Sequence, residues 1–393
     1  MERMFLGGKS EMDNDRRIDM RLRQIAKELD ITDEKYENAV SSYKAVGTYL
    51  SNNIDTQVEI FPQGSFKLGT VIKPLSDEDD YDIDLVCKVK KFFSKPQDLK
   101  NEVGQALKLS DRYSKMLQEE GKRCWTLKYA DKAQYHMDIL PAIEDITYCS
   151  NKKLKITNKD ENTNIYTFTT TTPEAYFEWF DKKQKEEKRR LLESFAFQNN
   201  KNIAEVPDYK VRTTLQVALQ ILKRYRDKKF EKNLEDKPIS IILTTIMAQV
   251  YKGENNVYEL IKNFSNNYHK YIKIKDGIEW VENPVNNDEN FADKWQIYPE
   301  RKDAFGFFIS ELKRDIVNNT FIASGDLLKE SKSYKELFGE KIVEKAYANI
   351  GNKAKILRES GKMYIDRDAT VNFKQQGTKV KDHKFFGQEI SKE

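Results

Sequence analysis

The sequence predicts an α+β fold, in which a mixed β-sheet flanked by helices is followed by an all-helical part. Short segments between about residues 57 and 140 alternate apolar and polar residues, as half-buried strands do. After residue 173 the apolar residues recur at helical spacing instead. The polar stretch NKDENTNIYTFTTTTPEAY (158–176) ends in Thr-Thr-Pro and is predicted to be the crossing between the two parts.

The chain has 393 residues, enough for two domains. We predict a sheet-containing core with N-terminal helices at 1–170, a helical domain at 171–360, and a charged, loosely ordered tail at 361–393. With 38% hydrophobic and 34% charged residues, the composition favours a well-solvated globular protein over a disordered one. The net charge of +4 permits anionic partners without requiring a nucleic acid.

The cysteines indicate a reducing compartment. There are three, Cys87, Cys124 and Cys149, without a CxxC pair or a Cys/His cluster, which argues against a disulfide scaffold and a zinc site. No run of about 18 apolar residues and no signal-peptide core is present. We therefore expect a cytoplasmic protein without a membrane partner.

The N-terminal region is predicted to form two helices. The first is predicted around MRLRQIAKEL, within residues 1–30. Thr32 is a candidate N-cap for the second, with Asp33 and Glu34 in its first turn. Apolar residues then recur at helical spacing as far as Leu50.

Four strands and one helix follow in the predicted sheet region. The strands are predicted at QVEIF (57–61), DIDLVCKV (82–89), RCWTLKYA (123–130) and AQYHMDIL (133–140), and the helix at about 97–119. Further helices are predicted at about 173–195, 208–229, 238–251, 255–270, 301–318 and 333–348.

The candidate chemistry lies on the strands. Asp82 and Asp84 are two residues apart, so they share one face of their strand, and Asp138 lies on the polar face of a later strand. If the two strands pair near residues 82–86, three carboxylates converge. Crowded carboxylates repel one another unless a cation lies between them.

Gly64 and Ser65 form a loop before this strand. Glycine lets a backbone approach a phosphate closely, and serine adds a hydroxyl donor. Three carboxylates beside such a loop suit two Mg²⁺ ions, with Mn²⁺ as an alternative, and a nucleoside triphosphate. An isolated DxD pair is more often a solvated strand face, and the acids Asp77, Glu78, Asp79 and Asp80 are interpreted as solvated loop residues.

These residues resemble the polymerase-β-like nucleotidyltransferases. More narrowly, the chain resembles the bacterial cGAS/DncV-like nucleotidyltransferases (CD-NTases), the signal-making enzymes of CBASS anti-phage defence. The resemblance rests on FPQGSFKLGT, YDIDLVC, RCWTLKYADKAQYHMDILPAI, TTTPEAYFEWF, LQVALQILKRYRD, PISIILTT and NPVNNDENFADKW, which together span about residues 61–296. The chain departs from many minimal members in the long stretch, residues 66–81, that separates Ser65 from Asp82.

The resemblance implies roles for seven residues. Asp82 and Asp84 would hold both metal ions, and Asp138 would complete the site and activate the acceptor hydroxyl. Gly64 and Ser65 would contact the donor β- and γ-phosphates, and the positions that match the family's Lys and Ser on the triphosphate are Lys223 and Ser240. The sequence alone also allows Ser240 to be an ordinary serine of a helix start, and Lys223 to be a surface charge.

The fold implied is a polymerase-β-like core and an all-helical OAS/PAP-like domain, two lobes around a cleft. The implied activity joins ATP, either alone or with another nucleoside triphosphate, into a cyclic di- or trinucleotide with release of pyrophosphate. Implied partners are a product-binding effector protein and regulatory CBASS proteins, without an obligatory nucleic acid. Two alternatives stay open: a linear oligonucleotide, RNA or protein nucleotidyltransferase, and a nucleotide-sensing pseudoenzyme.

Overall fold

The computed structural model describes residues 3–76, 80–129, 135–146, 152–160 and 162–360, together with three two-residue strands between residues 364 and 379. The prediction of a loosely ordered tail at 361–393 lies almost entirely outside the described residues. So does Cys149, while Cys87 and Cys124 are free thiols.

One six-stranded mixed sheet carries the candidate site. Its strands are β1 (Val58–Pro62), β2 (Tyr81–Val89), β3 (Trp125–Tyr129), β4 (Tyr135–Glu144), β5 (Leu154–Lys159) and β6 (Tyr166–Thr171). The order is β1-β2-β4-β5-β6, and β3 also pairs with β4. Only the β2–β4 pairing is parallel. Strand β4 is the central strand, since β2 pairs with one side of it and both β3 and β5 pair with the other side.

Thirteen α-helices surround and follow this sheet in the described part of the chain. They are α1 (Arg3–Leu29), α2 (Asp33–Asn53), α3 (Gly64–Leu68), α4 (Pro96–Lys108), α5 (Pro173–Gln198), α6 (Thr214–Lys229), α7 (Ser240–Val250), α8 (Val257–Asn267), α9 (Lys294–Ile297), α10 (Pro299–Leu312), α11 (Thr320–Ala323), α12 (Leu327–Phe338) and α13 (Glu340–Glu359). Two short strand pairs interrupt the helical region: β7 (Lys273–Lys275) with β8 (Ile278–Trp280), and β9 (Glu282–Asn283) with β10 (Asn286–Asn290). A three-stranded sheet follows it, formed by β11 (Tyr364–Ile365), β12 (Val371–Asn372) and β13 (Thr378–Lys379).

The chain buries two large apolar clusters. One lies between the sheet and helices α2 and α4, and it takes the side chains of β2 and β4 that alternate with the aspartates, such as Ile83, Leu85, Met137 and Ile139. This confirms the predicted alternation. The other cluster is built mainly from α1 and the helices from α5 onward.

Helix α1 packs with the helical cluster. Its residues Ile18, Leu22, Ile25 and Leu29 form one apolar stripe and are all buried there. The sequence-based division placed this helix with residues 1–170; its buried contacts join it instead to the helices that follow residue 171.

Residues 158–176, predicted to be the crossing between the two parts, contain strand β6 before helix α5 begins at Pro173. Strands β5 and β6 form an antiparallel hairpin in register from Leu154↔Thr171 to Lys159↔Tyr166. The threonines of this stretch are β-branched and suit a pleated, half-exposed edge strand, which a reading based on polarity overlooks. The hairpin widens the sheet on the side of β4 that lies away from β2.

Several predicted helix limits were also wrong. The predicted 97–119 helix ends at Lys108, and the predicted 208–229 helix begins only at Thr214, after a 3₁₀ turn at Asp208–Lys210. The predicted 333–348 helix is two helices, α12 and α13, separated by Gly339 with a φ of 98°. Such a positive φ ends an α-helix and favours glycine.

Candidate active site

The parallel pairing of β2 with β4 brings the candidate aspartates together. Asp84 lies directly opposite Asp138 in the register, and Asp82 lies opposite His136. Neighbouring strands are about 4.8 Å apart, and residues opposite each other point to the same face of the sheet. The three carboxylates therefore share one face, as expected from the sequence if these strands paired.

The crowding of these carboxylates changes their acidity. Burial raises the pKa of Asp84 to about 6, and the charges of Asp138 and Asp82 add to the rise. The pKa of Asp82 is also raised, first by desolvation and then by Asp138, although its side chain is exposed at the cleft surface. Desolvation and mutual repulsion therefore both disfavour the ionised forms of these two carboxyl groups.

Gly64 holds the preceding loop against this cluster. Its φ is 61°, and a Cβ placed on it would lie 2.0 Å from Oδ2 of Asp84. The amide of Gln63 donates to the backbone oxygen of Asp84 at 2.8 Å, which ties the loop to β2. Glycine is thus required here by its contact with a carboxylate, a reason that the sequence analysis did not give.

Ser65 lies in the first turn of the short helix α3 and lines the cleft above the carboxylates. Its backbone oxygen accepts from the amide of Thr70 at 2.9 Å. The structure therefore places Gly64 next to Asp84 and Ser65 in the same cleft.

Lys223 reaches the cleft from helix α6. It is buried, and its Nζ donates to the backbone oxygen and to Oγ1 of Thr70 at 3.1 and 3.0 Å. Burial lowers the pKa of Lys223 to about 7; Arg226 lowers it further, while Asp227 and Asp84 act in the opposite direction. The interpretation of Lys223 as a plain surface charge is excluded by this burial.

Ser240 is the first residue of α7, not a residue within a helix that begins at Pro238 as predicted. Ile239 takes the N-cap position and has no capping side chain, so Ser240 does not cap the helix. Its hydroxyl accepts from Arg226 Nη1 at 2.7 Å, and Arg226 also donates to the backbone oxygen of Pro238.

A cleft of about 580 Å³ brings Ser65, Asp82, Lys223 and Ser240 together, whereas Gly64, Asp84 and Asp138 are not among its lining residues. It is lined by Ser65, Val71, Ile72, Pro74, Leu75, Asp80, Tyr81, Asp82, Lys128, His136, Lys223, Arg226, Asp227, Leu234, Lys237 and Ser240. One wall therefore comes from the sheet and its loop, and the facing wall comes from α6, α7 and the segment between them. Buried Arg224 fixes the loop by donating to the backbone oxygens of Lys73 and Pro74.

The acids ahead of β2 are only partly described. Asp77, Glu78 and Asp79 lie outside the described residues. Asp80 is not a free solvated acid, since its Oδ2 lies 2.8 Å from His136 Nε2 and 3.9 Å from Lys128 Nζ. The ring of His136 therefore lies against Asp80 at the edge of the cleft.

The donor chemistry of the cluster fits a hard divalent cation. All the ligands on offer are carboxylate oxygens, and the charges of Asp138 and Asp82 add to burial in raising the pKa of Asp84. Across the described ranges, however, no three His, Cys, Asp or Glu side chains already form a metal cage. Magnesium keeps water and substrate phosphate in its coordination shell, so an open set of two or three carboxylates is what it requires.

The sequence analysis missed several cleft residues. Arg226, Asp227 and Lys237 were overlooked because they lie in charge-rich segments, where a surface position is the usual outcome. Thr126 was missed as well; its Oγ1 donates to Oδ1 of Asp138 at 2.5 Å. No spacing motif marks these residues. Alternation along RCWTLKYA would, however, have placed Thr126 on the face of its strand that lies away from the buried side chains of Trp125 and Leu127.

Comparison with known proteins gives a consistent result. Residues 17–184 match the model of the SMODS family, the Second Messenger Oligonucleotide or Dinucleotide Synthetase domain. The chain is 30% identical over 308 residues to a c-di-GMP synthase of Roseivirga ehrenbergii, an alignment that covers 75% of this chain and 77% of that protein.

Solved structures agree on the fold. The CD-NTase CdnG of Bradyrhizobium diazoefficiens, solved in complex with GTP, superposes with a TM-score of 0.67 at 19% identity, covering 85% of this chain and 99% of that one. CdnC of Escherichia coli MS115-1, solved in a complex with HORMA, gives a TM-score of 0.56 at 13% identity, covering 81% and 96% of the two chains. No helix among the described residues has the length and apolarity needed to cross a membrane.

Proposed function

The chain belongs to the cGAS/DncV-like nucleotidyltransferase (CD-NTase) family, and we propose that its carboxylate cleft joins nucleoside triphosphates into a cyclic oligonucleotide second messenger. The observation that carries this proposal is the β2–β4 register, which sets Asp84 opposite Asp138 with Asp82 on the same face. As a member of this family the protein is a nucleotidyltransferase, which releases pyrophosphate at each transfer.

We assign the metal site to Asp82, Asp84 and Asp138. Two Mg²⁺ ions bound there would lower the pKa of the attacking hydroxyl and stabilise the pyrophosphate that leaves. The chain contributes crowded carboxylate oxygens that a divalent cation neutralises, and Gly64 lets the loop approach Asp84 without a steric clash. Asp138 is assigned to the acceptor hydroxyl, since it lies across from Asp84 on the central strand.

The facing wall is assigned to the donor triphosphate. Ser65 offers a hydroxyl from the sheet side, and Lys223 and Ser240 offer an ammonium and a hydroxyl from the helical side. A bound triphosphate stabilises the protonated form of Lys223, whose pKa burial lowers to about 7 in the free protein. Binding therefore couples to proton uptake at this lysine.

The substrates are nucleoside triphosphates, and the next question is which bases they carry. The sequence analysis favoured ATP. The name of the Roseivirga relative and the GTP in the Bradyrhizobium structure favour GTP as a substrate of this chain as well. We propose that GTP is used, and that an assay with each triphosphate alone and in pairs decides whether ATP is joined to it.

The test is synthesis of a phosphatase-resistant product. The protein is incubated with each α-³²P-labelled triphosphate and Mg²⁺, and the products are treated with phosphatase and separated. A labelled product whose mobility is unchanged by phosphatase supports ring closure, because a cyclic oligonucleotide has no terminal phosphate. A product that loses its terminal phosphates and changes mobility supports the linear-synthase alternative, and the absence of any product with Mg²⁺ or Mn²⁺ supports the sensor alternative.

A matched pair of variants links the product to the site. Asp82→Asn is expected to abolish the product, whereas Asp55→Asn changes an exposed aspartate ahead of β1 and leaves synthesis unchanged. Both substitutions remove one negative charge, so a difference between them reflects the position. Equal activity of the two variants would contradict the assignment.

Partners and location follow as proposals. A product-binding effector protein is expected, and the HORMA complex of the Escherichia coli relative motivates a search for a regulatory partner of this chain. We place the protein in the cytoplasm, where nucleoside triphosphates are available and free thiols such as Cys87 persist.

A further inference from the structure

Thr126 carries an unassigned contact with the carboxylate cluster. It lies on β3 directly opposite Asp138, so both side chains project from the same face of the sheet. Its Oγ1 is 2.5 Å from Oδ1 of Asp138, a separation typical of a hydroxyl that donates to an ionised carboxylate. An aspartate ion can only accept, so the proton in this contact belongs to Thr126.

The backbone of Thr126 is held on both sides. On one edge it pairs with β4. On the other, its backbone oxygen accepts from Gln118 at 2.9 Å, and Lys128 donates to the backbone oxygen of Met116 at 2.8 Å. The neighbours Trp125 and Leu127 are buried on the opposite face, so the strand cannot rotate without opening the core.

The side chain itself is equally restricted. A β-branched residue has few χ1 positions, so the hydroxyl of Thr126 has little freedom once the backbone is fixed. Cys124, two residues earlier on the same face, places its Sγ 3.9 Å from Thr126 Oγ1. Because the hydroxyl proton goes to Asp138, the thiol is the donor in that second contact.

We propose that Thr126 is a positioning residue for Asp138. Its hydrogen bond occupies one carboxylate oxygen and holds the side chain in a single orientation across from Asp84. This rests on the proposed function, in which Asp138 serves the metal site and the acceptor hydroxyl. Partners that orient a metal-ligating side chain in this way are commonly worth about 10–100-fold in metal affinity or activity.

The alternative is that Thr126 is only a good strand former. Valine tests this directly, because Thr126→Val keeps the branched shape and the strand propensity but removes the donor. Thr126→Ser keeps the donor and removes the methyl group. Thr167→Val on β6 is the control, since Thr167 is an exposed strand threonine whose hydroxyl contacts only the backbone oxygen of Asn158 at 3.3 Å.

The experiment measures initial rates of nucleotidyl transfer against triphosphate and against Mg²⁺. For Thr126→Val we expect kcat to fall by about 10–100-fold, the Mg²⁺ concentration for half-maximal rate to rise, and KM for triphosphate to stay within about twofold. Thr126→Ser should recover most of kcat, and Thr167→Val should match the wild type. Melting temperatures identify any variant that fails to fold; if valine does, Thr126→Ala removes the same donor.

The outcomes separate this inference from the proposed function. If the wild type makes no nucleotide product, the proposed function itself fails. If the wild type is active and the folded valine variant keeps its kcat and its Mg²⁺ dependence, the positioning role is overturned. Equal losses in the serine and valine variants also overturn it, because the hydroxyl would then not be the group responsible.

Discussion

The two walls of the cleft carry charges of opposite sign, and these charges differ in whether other protein groups already bind them. The sheet wall carries Asp82, which shares its face of the sheet with Asp84 and Asp138, and burial raises the pKa of Asp84 to about 6. On the helical wall the cations already have protein partners: Lys223 donates to Thr70, and Arg226 donates to Asp227 and Ser240. The sheet wall therefore needs an external cation, whereas the helical wall must exchange internal contacts for substrate.

The largest expected effect comes from removing a charge on the sheet wall. Asp84→Asn should lower kcat by at least ~10³-fold, as is common for a side chain at the reacting centre. The matched control is Asp55→Asn, an exposed aspartate outside the cleft. Rates within tenfold of wild type for Asp84→Asn would contradict the metal assignment.

The same variant should be more stable than the wild type when metal is absent. The pKa of Asp84, about 6 in the folded chain, lies above the unfolded value of about 3.9, so ionisation costs the folded state free energy as pH rises. Urea unfolding in EDTA should give Asp84→Asn an advantage of ~2–3 kcal/mol above pH ~6 that disappears below pH ~4. A variant that is less stable at both pH values would show that burial does not disfavour this carboxylate.

Gly64→Ala, compared with a control glycine, distinguishes the effect of backbone strain from the effect of the contact with Asp84. Gly64→Ala places a Cβ 2.0 Å from Asp84 Oδ2, while Gly277→Ala, at a φ of 78°, meets nothing within 4 Å. Both should lose ~1–2 kcal/mol from backbone strain, measured by urea unfolding. Only Gly64→Ala should lose activity, by ~100-fold, because the clash displaces a metal-binding carboxylate; equal activity in both would remove Gly64 from the site.

On the helical wall the effect should fall on substrate affinity. Lys223→Met is expected to raise KM for triphosphate by ~10-fold, since a hydrogen bond to a charged group is worth ~1.5–3 kcal/mol. Lys228→Met on the same helix removes a lysine that pairs with Glu231 outside the cleft and serves as the control. An unchanged KM in Lys223→Met would leave Lys223 as a structural residue that binds Thr70.

The lowered pKa of Lys223 also predicts how the stability of the folded chain changes with pH. Its pKa in the folded chain, about 7, lies below the unfolded value of about 10.4, so the folded state loses stability as pH falls towards 7. The wild type should therefore gain stability between pH 7 and pH 10 relative to Lys223→Met. Thermal melts at the two pH values measure this difference, and a constant difference would contradict the lowered pKa.

The smallest expected effect is at Ser240. Ser240→Ala removes one hydroxyl, which accepts a hydrogen bond from Arg226 at 2.7 Å in the free protein. A hydrogen bond made by a neutral hydroxyl contributes ~0.5–1.5 kcal/mol to binding. We expect KM for triphosphate to rise by ~2–10-fold with kcat unchanged. A larger fall in kcat would place Ser240 nearer to the reacting atoms than the present account does.

The sheet wall was the more predictable of the two. The two-residue period of a strand fixes which side chains share a face, so Asp82 and Asp84 could be paired from sequence alone. Their meeting with Asp138 depended on a parallel pairing between distant strands, which the sequence allowed without requiring. The partners of Asp138 and Gly64, namely Thr126 and Asp84, depend on that pairing and on loop geometry.

The helical wall was harder to predict for a physical reason. Lysine and arginine in a charge-rich helix are usually exposed. The burial of Lys223 and Arg224 follows only from how α6 packs against the loop after α3, and that of Arg226 from its contacts with Pro238 and Ser240 at the start of α7. The hairpin of β5 and β6 was missed because its threonines are polar in composition yet favourable in a strand. Tertiary packing decided both cases.

The most direct test of the central account is a crystal structure with Mn²⁺ and a non-hydrolysable triphosphate, in which anomalous scattering locates the metal. The account predicts two peaks ~4 Å apart between Asp82, Asp84, Asp138 and the phosphates, with the triphosphate reaching Ser65, Lys223 and Ser240. Metal and nucleotide bound elsewhere, with the three carboxylates free of metal, would contradict it.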